Sequence, residues 1–284
     1  MFSTFNDSVS LMPELPEIDV LARQMNKELR GKKVADIESR QPKNLNIPVL
    51  RFAKIIEGKT VTNVSSKGKW IFTKFDPNYY LLINLGMNGD LLQFTPDKKP
   101  PEKYHFKLAF TDRTGFTITF QWIGLVHLVA EKDLHKHKLT AKLGIQPTDK
   151  NFTLEHFKSL LANKKTIIKN FLLSQKNIAG IGNVYIQDTL FRARLHPNRK
   201  INTLTPQEIE ALYHAIKDTL NHAIKLGGLA YEKDFYGRHG KLTIDESLVG
   251  YKTGKPCPNC GTTIIKTRTG TTASYICPKC QKAP

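Results

Sequence analysis

Three groups of residues in this chain have types and spacings that could do chemistry. The first is the run Met12-Pro13-Glu14-Leu15-Pro16-Glu17. If translation starts at Met12 and that methionine is trimmed, Pro13 carries a free secondary amine at the chain end. An α-amino group titrates near pH ~8, far below a lysine, so much of it is unprotonated at neutral pH. Such amines form Schiff bases with carbonyl carbons, for example C1′ of a sugar that has lost its base. Glu14 beside it could shuttle protons. Read more plainly, the run is a capped helix start, because proline and carboxylates both suit a first helical turn.

The second group is Cys257-Pro-Asn-Cys260 and Cys277-Pro-Lys-Cys280, with sixteen residues between the two pairs. Two Cys-x-x-Cys knuckles at this spacing predict a tetrahedral zinc ribbon. Four protein ligands close the site, so one structural Zn2+ is expected and no organic cofactor. All four cysteines lie in the last 28 residues, which argues for metal over disulfides. Six Lys or Arg and no acid lie between Tyr251 and Pro284, so the ribbon can face phosphate.

The third group is Asn177-Ile178-Ala179-Gly180-Ile181-Gly182-Asn183-Val184-Tyr185, a glycine-punctuated turn running into a helix. Glycines let backbone approach a ligand closely, and N–H groups at a helix start suit phosphate.

The elements that must position these groups follow from periodicity. From 13 to about 30, Val20, Leu21, Met25 and Leu29 fall near one helical face, and Gly31 stops the pattern. Short alternating runs follow at 33–37, 60–64, 70–75, 79–85, 90–94, 105–110 and 116–120, punctuated by Gly, Pro, Asn and Asp. Many strands at short spacing predict a β-sandwich or barrel. Near Leu143 the texture becomes helical. Thr205-Pro206-Gln207-Glu208 forms a capping box, and Ile209, Leu212, Ile216, Leu220 and Ala223 follow at helical spacing. Gly227-Gly228 ends that helix. His135, His137, Arg238 and His239 have no local partner and are expected at the surface.

The chain of 284 residues is long enough for two domains of ordinary size. With 43 Lys plus Arg against 25 Asp plus Glu, the net charge of +18 predicts a polyanionic partner. No run of ~18 apolar residues is present, so no membrane span is expected. Residues 1–11 are polar and lack the features of a signal peptide; they read as a tail or as a start codon placed too early. An intracellular, cytoplasmic protein is expected.

The opening run, the Asn183 turn and the paired knuckles together resemble the formamidopyrimidine-DNA glycosylase family, and the resemblance extends from Met12 to the last knuckle. It implies an α+β architecture: an N-terminal β-sandwich with a leading helix over 12–143, a linker at 144–151, a helical helix–two-turn–helix domain over 152–250, and a zinc ribbon over 251–284. It implies a monomeric, nucleoid-associated glycosylase and abasic-site lyase acting on oxidised purines in double-stranded damaged DNA. Pro13 would be the nucleophile, Glu14 the proton carrier and Lys69 a catalytic phosphate contact. Asn183 would bind phosphate, and Met87 of the Leu85-Gly86-Met87 turn would fill the gap left by an extruded nucleotide. The segment from Gly227 to Tyr251 resembles the family's flexible loop near the flipped base.

The chain departs from the family pattern twice. Gln121-Trp122-Ile123-Gly124 stands where the family has Arg-Arg-Phe-Gly, leaving Trp122 and Ile123 as apolar wedges without the arginine that faces the orphan base. Thr272 stands where the zinc hairpin carries a phosphate-gripping arginine, with Arg268 as the nearby substitute. Two alternatives stay open on sequence grounds: a damaged-DNA binder without chemistry, and an oxidised-pyrimidine glycosylase on the same scaffold.

Overall fold

The computed structural model describes residues 12–284, so the expectation for residues 1–11 lies outside the described residues. Helix α1 (Leu15–Leu29) opens the fold and buries Leu15, Ile18, Leu21, Ala22, Met25 and Leu29. These recur every three or four residues, the spacing that keeps one helical face apolar. Val20, expected on that face, is only half-buried. Full burial of each large side chain in the stripe contributes roughly 1.5–3 kcal/mol, so a charge at Met25 would undo the docking of α1.

Two four-stranded antiparallel sheets follow. One has the order β1 (Val34–Ser39), β6 (Phe106–Phe110), β7 (Gly115–Ile118), β5 (Leu91–Phe94). The other has β2 (Thr60–Lys67), β3 (Trp70–Asp76), β4 (Tyr79–Asn84), β8 (Leu125–Ala130). Alternate residues of both sheets, with α1 and the short helix α2 (Val49–Ile56), close one core around Phe52, Phe75, Phe106 and Phe116. The β-sandwich and its leading helix are as the sequence predicts.

The second half is helical: α3 (Leu154–Leu161), α4 (Ile168–Leu173), α5 (Tyr185–Arg192) and α6 (Pro206–Lys225). Its core holds Phe157, Phe171, Leu190, Leu212 and Ile216. The predicted cap of α6 is present: Glu208 N donates to Thr205 Oγ1 at 3.2 Å and Thr205 N to Glu208 Oε2 at 2.8 Å. Strands β9 (Ile265–Thr269) and β10 (Thr272–Ile276) form the hairpin of the ribbon.

Two features join the halves. Leu15, in the first turn of α1, packs in the helical core, whereas Ile18 and the rest of the stripe pack in the sandwich. Phe235, beyond α6, is fully buried in the sandwich core. The segment after Gly228 is therefore pinned. Gln93 N donates to Phe235 O at 2.8 Å, Tyr236 Oη to Glu28 at 2.9 Å, and Lys98 Nζ to Tyr236 O at 2.7 Å.

Two expectations fail. His137 is half-buried, with Nε2 2.9 Å from His127 Nδ1 and its ring edge-on to Trp70. Trp70 and the two rings cover one another, so His137 has neighbours that sequence separation hides. His135, Arg238 and His239 are exposed, as expected, but Arg238 does have a local partner: its Nε donates to Asp234 Oδ2 at 2.8 Å, four residues back.

Candidate active site and nucleic-acid interface

Pro13 and Glu14 lie at the mouth between the halves, both buried. Leu15 N donates to Gly180 O at 3.0 Å, which ties the opening run to the glycine turn. The β2–β3 hairpin closes on the same turn. Its two-residue tip is Gly68-Lys69, and Gly68 has φ of +60°, the conformation that a tight hairpin demands at its first position and glycine adopts without strain. A Cβ on Gly68 would lie 2.9 Å from the Ala179 Cβ, so the tip sits flush on the turn. Gly68 N also donates to Gln146 Oε1 at 3.0 Å.

This packing brings Lys69 to Glu14. A methyl group on Gly182 would fall 2.0 Å from Glu14 Oε1 and 2.4 Å from Lys69 Nζ, so only glycine leaves room for both. The Glu14 carboxylate accepts Gly182 N at 2.8 Å and Val184 N at 3.0 Å. These donors belong to the start of α5. The sequence reading offered them to phosphate; they are instead committed to Glu14, because the helix dipole favours any anion there.

Burial pushes the Glu14 carboxyl above its ordinary value; Lys69 and the amides of Val184, Gly182 and Tyr185 oppose this. Glu17 is pushed up to about 7, chiefly by burial. It accepts Glu14 N at 2.9 Å, Leu229 N at 3.1 Å and the Tyr185 hydroxyl. Two buried carboxyls thus flank Pro13, one bonded to three backbone amides and the other shared with a phenol.

Asn183 is half-buried at the rim. Gln187 Nε2 donates to its Oδ1 at 3.1 Å and its O at 2.8 Å, and the Tyr251 hydroxyl bonds to its side chain. Tyr251 has φ of +61° and its ring lies 4.8 Å from that of Tyr275. Gln187 Oε1 accepts Tyr275 N at 3.1 Å, so Asn183 is fixed to the ribbon. Lys169, fully buried, donates to Ala273 O and to Ser274 Oγ at 2.9 Å; burial pulls it down to about 8.

The wedge residues meet on the sandwich side. Met87 N donates to Trp122 O at 3.0 Å. Trp122 and Ile123 are 63% and 70% exposed beside it, an unusual apolar tip for a basic chain. Ile123 has φ of +59°, a costly conformation for a β-branched residue. Asn84 links this tip to the hairpin: Nδ2 donates to Lys69 O at 2.9 Å and Oδ1 accepts Gly86 N at 3.1 Å.

The four cysteines fit zinc. Their Sγ atoms all lie within 4.8 Å of one another, with edges of 3.9, 3.5 and 3.6 Å. Tetrahedral Zn–S bonds of ~2.3 Å require edges of roughly 3.8 Å. Asn259 N and Cys280 N each point at a sulfur at 3.4 Å, as thiolates favour. Arg268 is exposed on β9, opposite Ala273, and its Nε donates to Gly270 O at 3.0 Å.

Three family models match consecutive stretches of the chain. They are the formamidopyrimidine-DNA glycosylase N-terminal domain over 12–121, its H2TH domain over 143–234, and the zinc finger found in FPG and IleRS over 254–283. A formamidopyrimidine-DNA glycosylase of Pelotomaculum thermopropionicum is 36% identical over 95% of this chain and 99% of its own. The chain belongs to the formamidopyrimidine-DNA glycosylase family. A second such glycosylase, from Chloroflexus aurantiacus, is 34% identical over 95% of this chain and 98% of its own. The Lactococcus lactis glycosylase, solved with DNA containing an abasic site, superposes with a TM-score of 0.85 at 30% identity, covering 95% of this chain and 100% of that one. The same glycosylase has been solved with Fapy-dG DNA, again at a TM-score of 0.85 and 30% identity over 95% and 100% of the two chains.

As a member of this family the chain is a DNA-repair glycosylase whose partner is DNA, and its ribbon holds one structural zinc. Against the sequence reading, the fold gathers Pro13, Glu14, Lys69 and Asn183 at one mouth, and Met87, Trp122 and Ile123 at a second point. Arg268 stands apart on the ribbon. Sequence reasoning missed Glu17, Tyr185, Gln187 and Tyr251. The acidic residue at the third helical position, Glu17, was visible as a cap, but its partners Tyr185 and Leu229 lie 168 and 212 residues away.

Proposed function

We propose that the enzyme excises oxidised purines from double-stranded DNA and then cleaves the abasic strand, with the mature chain beginning at Pro13. The Pro13 nitrogen attacks C1′. The glycosidic C1′–N bond breaks, its electron pair leaves with the base, and the base takes up a proton. Opening of the sugar ring leaves an iminium between Pro13 and C1′. Loss of a C2′ proton then expels the 3′ phosphate, and water releases the enzyme.

Glu14 carries the protons in this scheme. The observation that carries the reading is the fixed Glu14 carboxylate beside Pro13, held by the amides of Gly182 and Val184 and faced by Lys69. Burial raises its proton affinity above that of an ordinary carboxylate, the direction a group that must accept and return a proton requires. Lys69 and Asn183 grip the phosphates around the lesion, and Arg268 supplies a cation on the ribbon. Met87, Trp122 and Ile123 fill the void, offsetting lost stacking. The match of the N-terminal family model begins at residue 12, which supports a start at Met12. We read the modules as 12–143, 152–250 and 251–284, and the working unit as a single copy inside the cell.

The test compares two preparations, one beginning at Pro13 and one retaining residues 1–11. Borohydride trapping on an abasic duplex should capture the first and not the second, because Pro13 within the chain is an amide nitrogen. Trapping of both at equal rate overturns Pro13 as the nucleophile. Activity on an oxidised-pyrimidine duplex exceeding that on 8-oxoguanine would move the substrate class.

A further inference from the structure

The turn that holds Glu14 has glycine at both 180 and 182, and space imposes both. A Cβ on Gly180 would lie 2.6 Å from the Leu15 Cβ, just as one on Gly182 would collide with Glu14. Gly180 also has φ of +104°. Glycine rotates more freely than any other residue, so the peptide planes of this turn need holding from outside. Gln175, half-buried beyond the end of α4, supplies that hold. Its Oε1 accepts Gly180 N at 2.8 Å, and its Nε2 donates to Ile181 O at 2.8 Å and to Leu173 O at 3.1 Å. The carbonyl and both N–H groups of the amide are in use, so only one orientation of the amide fits. The surrounding backbone is fixed in turn: Gly144 N in the linker donates to Gln175 O at 2.9 Å, and Ala179 N donates to Ile145 O at 2.9 Å.

The bond to Ile181 O matters most. That oxygen and Gly182 N belong to the same trans peptide unit. Its C=O and N–H point opposite ways within one rigid plane. With the oxygen held by Gln175, the N–H is directed at Glu14 Oε2, 2.8 Å away. Turning the plane over would swing a carbonyl oxygen towards the carboxylate and remove a donor. Two hydrogen bonds in series through one peptide also polarise it, which strengthens the bond to Glu14.

We infer that Gln175 is a positioning residue for Glu14: it locks the Ile181–Gly182 peptide in the orientation that aims its N–H at the carboxylate. This rests on the reading of Glu14 as the proton carrier. The Gly182 amide is one of the groups that restrain the proton affinity of Glu14 against burial. Without Gln175 that restraint weakens and the carboxyl rises further. The titratable groups that bear on Glu14 are Lys69 from the hairpin, Glu17 on its own helix, Tyr185 of α5, and Tyr231 and Tyr251 beyond α6. Among the described residues Gln175 hydrogen-bonds to none of these, so its loss reaches Glu14 through the turn.

The test uses three variants of the chain beginning at Pro13. Gln175→Met keeps the length of the side chain and removes the amide. Gln175→Glu keeps the acceptor for Gly180 N and loses the donors. Glu14→Gln removes the proton carrier. Single-turnover cleavage of an abasic duplex is followed across pH, with duplex affinity read by fluorescence anisotropy. Gln175→Met should slow cleavage by roughly 10–100-fold, as a misplacement approaching 1 Å does, while affinity stays within about threefold. The pH limb set by Glu14, recognised as the one that Glu14→Gln abolishes, should move up by about one unit, because the carboxylate has lost a charge-assisted hydrogen bond. That shift does not depend on the fraction of folded protein, so instability of the variant cannot imitate it. Gln175→Glu should be slowed at least as much, since its carboxylate faces the Ile181 carbonyl. Cleavage by either Gln175 variant at the parental rate overturns the inference, and so does a slower Gln175→Met whose limb stays in place, which marks a merely structural role. If Glu14→Gln cleaves as the parent does, the proton-carrier reading falls and the inference with it; if Glu14→Gln is slow and Gln175→Met is not, the inference falls alone.

Discussion

Gly182→Ala is the most incisive single change available. The added methyl would lie 2.0 Å from Glu14 Oε1 and 2.4 Å from Lys69 Nζ, well inside contact distance. Ordinary carbon–oxygen contact begins near ~3.4 Å, so relief requires a shift of more than about 1 Å. Lys69 can swing away on its flexible stem. Glu14 cannot, because Gly182 N and Val184 N hold it at 2.8 and 3.0 Å. Backbone strain is not at issue, since the conformation of Gly182 is one that alanine adopts. Overpacking of this kind costs about 1–3 kcal/mol of stability, a fall in Tm of several degrees. A misplacement of about 1 Å at the reacting centre costs on the order of 100-fold in rate. Borohydride trapping on an abasic duplex, read beside thermal melting, separates the two losses. The expected result is a melting shift of a few degrees with trapping slowed by about 100-fold. A variant that traps within about threefold of the parent would refute the reasoning that Glu14 and Lys69 must share this space.

Other outcomes follow from the same geometry. Phe235→Ala removes a fully buried ring from the sandwich core and should cost about 3–5 kcal/mol in denaturant unfolding; a loss under 1 kcal/mol would show that the strap is not part of that core. Chelation of zinc should release the β9–β10 hairpin from Gln187 and Lys169 and weaken DNA binding, read together by zinc release and fluorescence anisotropy. Glu17 is raised from 4.5 to about 7 in the folded chain, so the folded state binds the extra proton and stability should fall as pH rises from about 4.5 to about 7, by up to about 3 kcal/mol. Denaturant midpoints should show that slope and a Glu17→Gln variant should flatten it; an unchanged slope would assign the proton elsewhere.

The local layers of the fold were legible because their signals are local. Strand runs such as Phe106–Phe110 alternate with the pleat, and the Thr205 capping box lies within four residues. The helix α2 was not read: Val49–Ile56 is only eight residues long, is interrupted by Arg51 and Lys54, and begins after Pro48 with no side-chain cap. Such a run is ambiguous between strand and helix, and docking decides. The strand β8 was missed because Leu125-Val126-His127-Leu128 follows the glycine-ended wedge without a turn signal. In the site, Pro13, Glu14 and the cysteines were visible as motifs. The joining of Glu14 to Gly182 and Val184 was not, since 168 and 170 residues separate the partners. His137 looked solitary for the same reason: its neighbour His127 sits on another element and carries no pattern that points to it.

Phe235 has a consequence for how the molecule is made. The sandwich is encoded almost wholly before residue 131, yet its hydrophobic interior lacks one ring until residue 235 has emerged from the ribosome. During that interval roughly a hundred residues of helical chain must be synthesised while an aromatic-sized gap stays open. The first module is therefore born incomplete, and the act that finishes it also draws the two halves together over the place where DNA must enter.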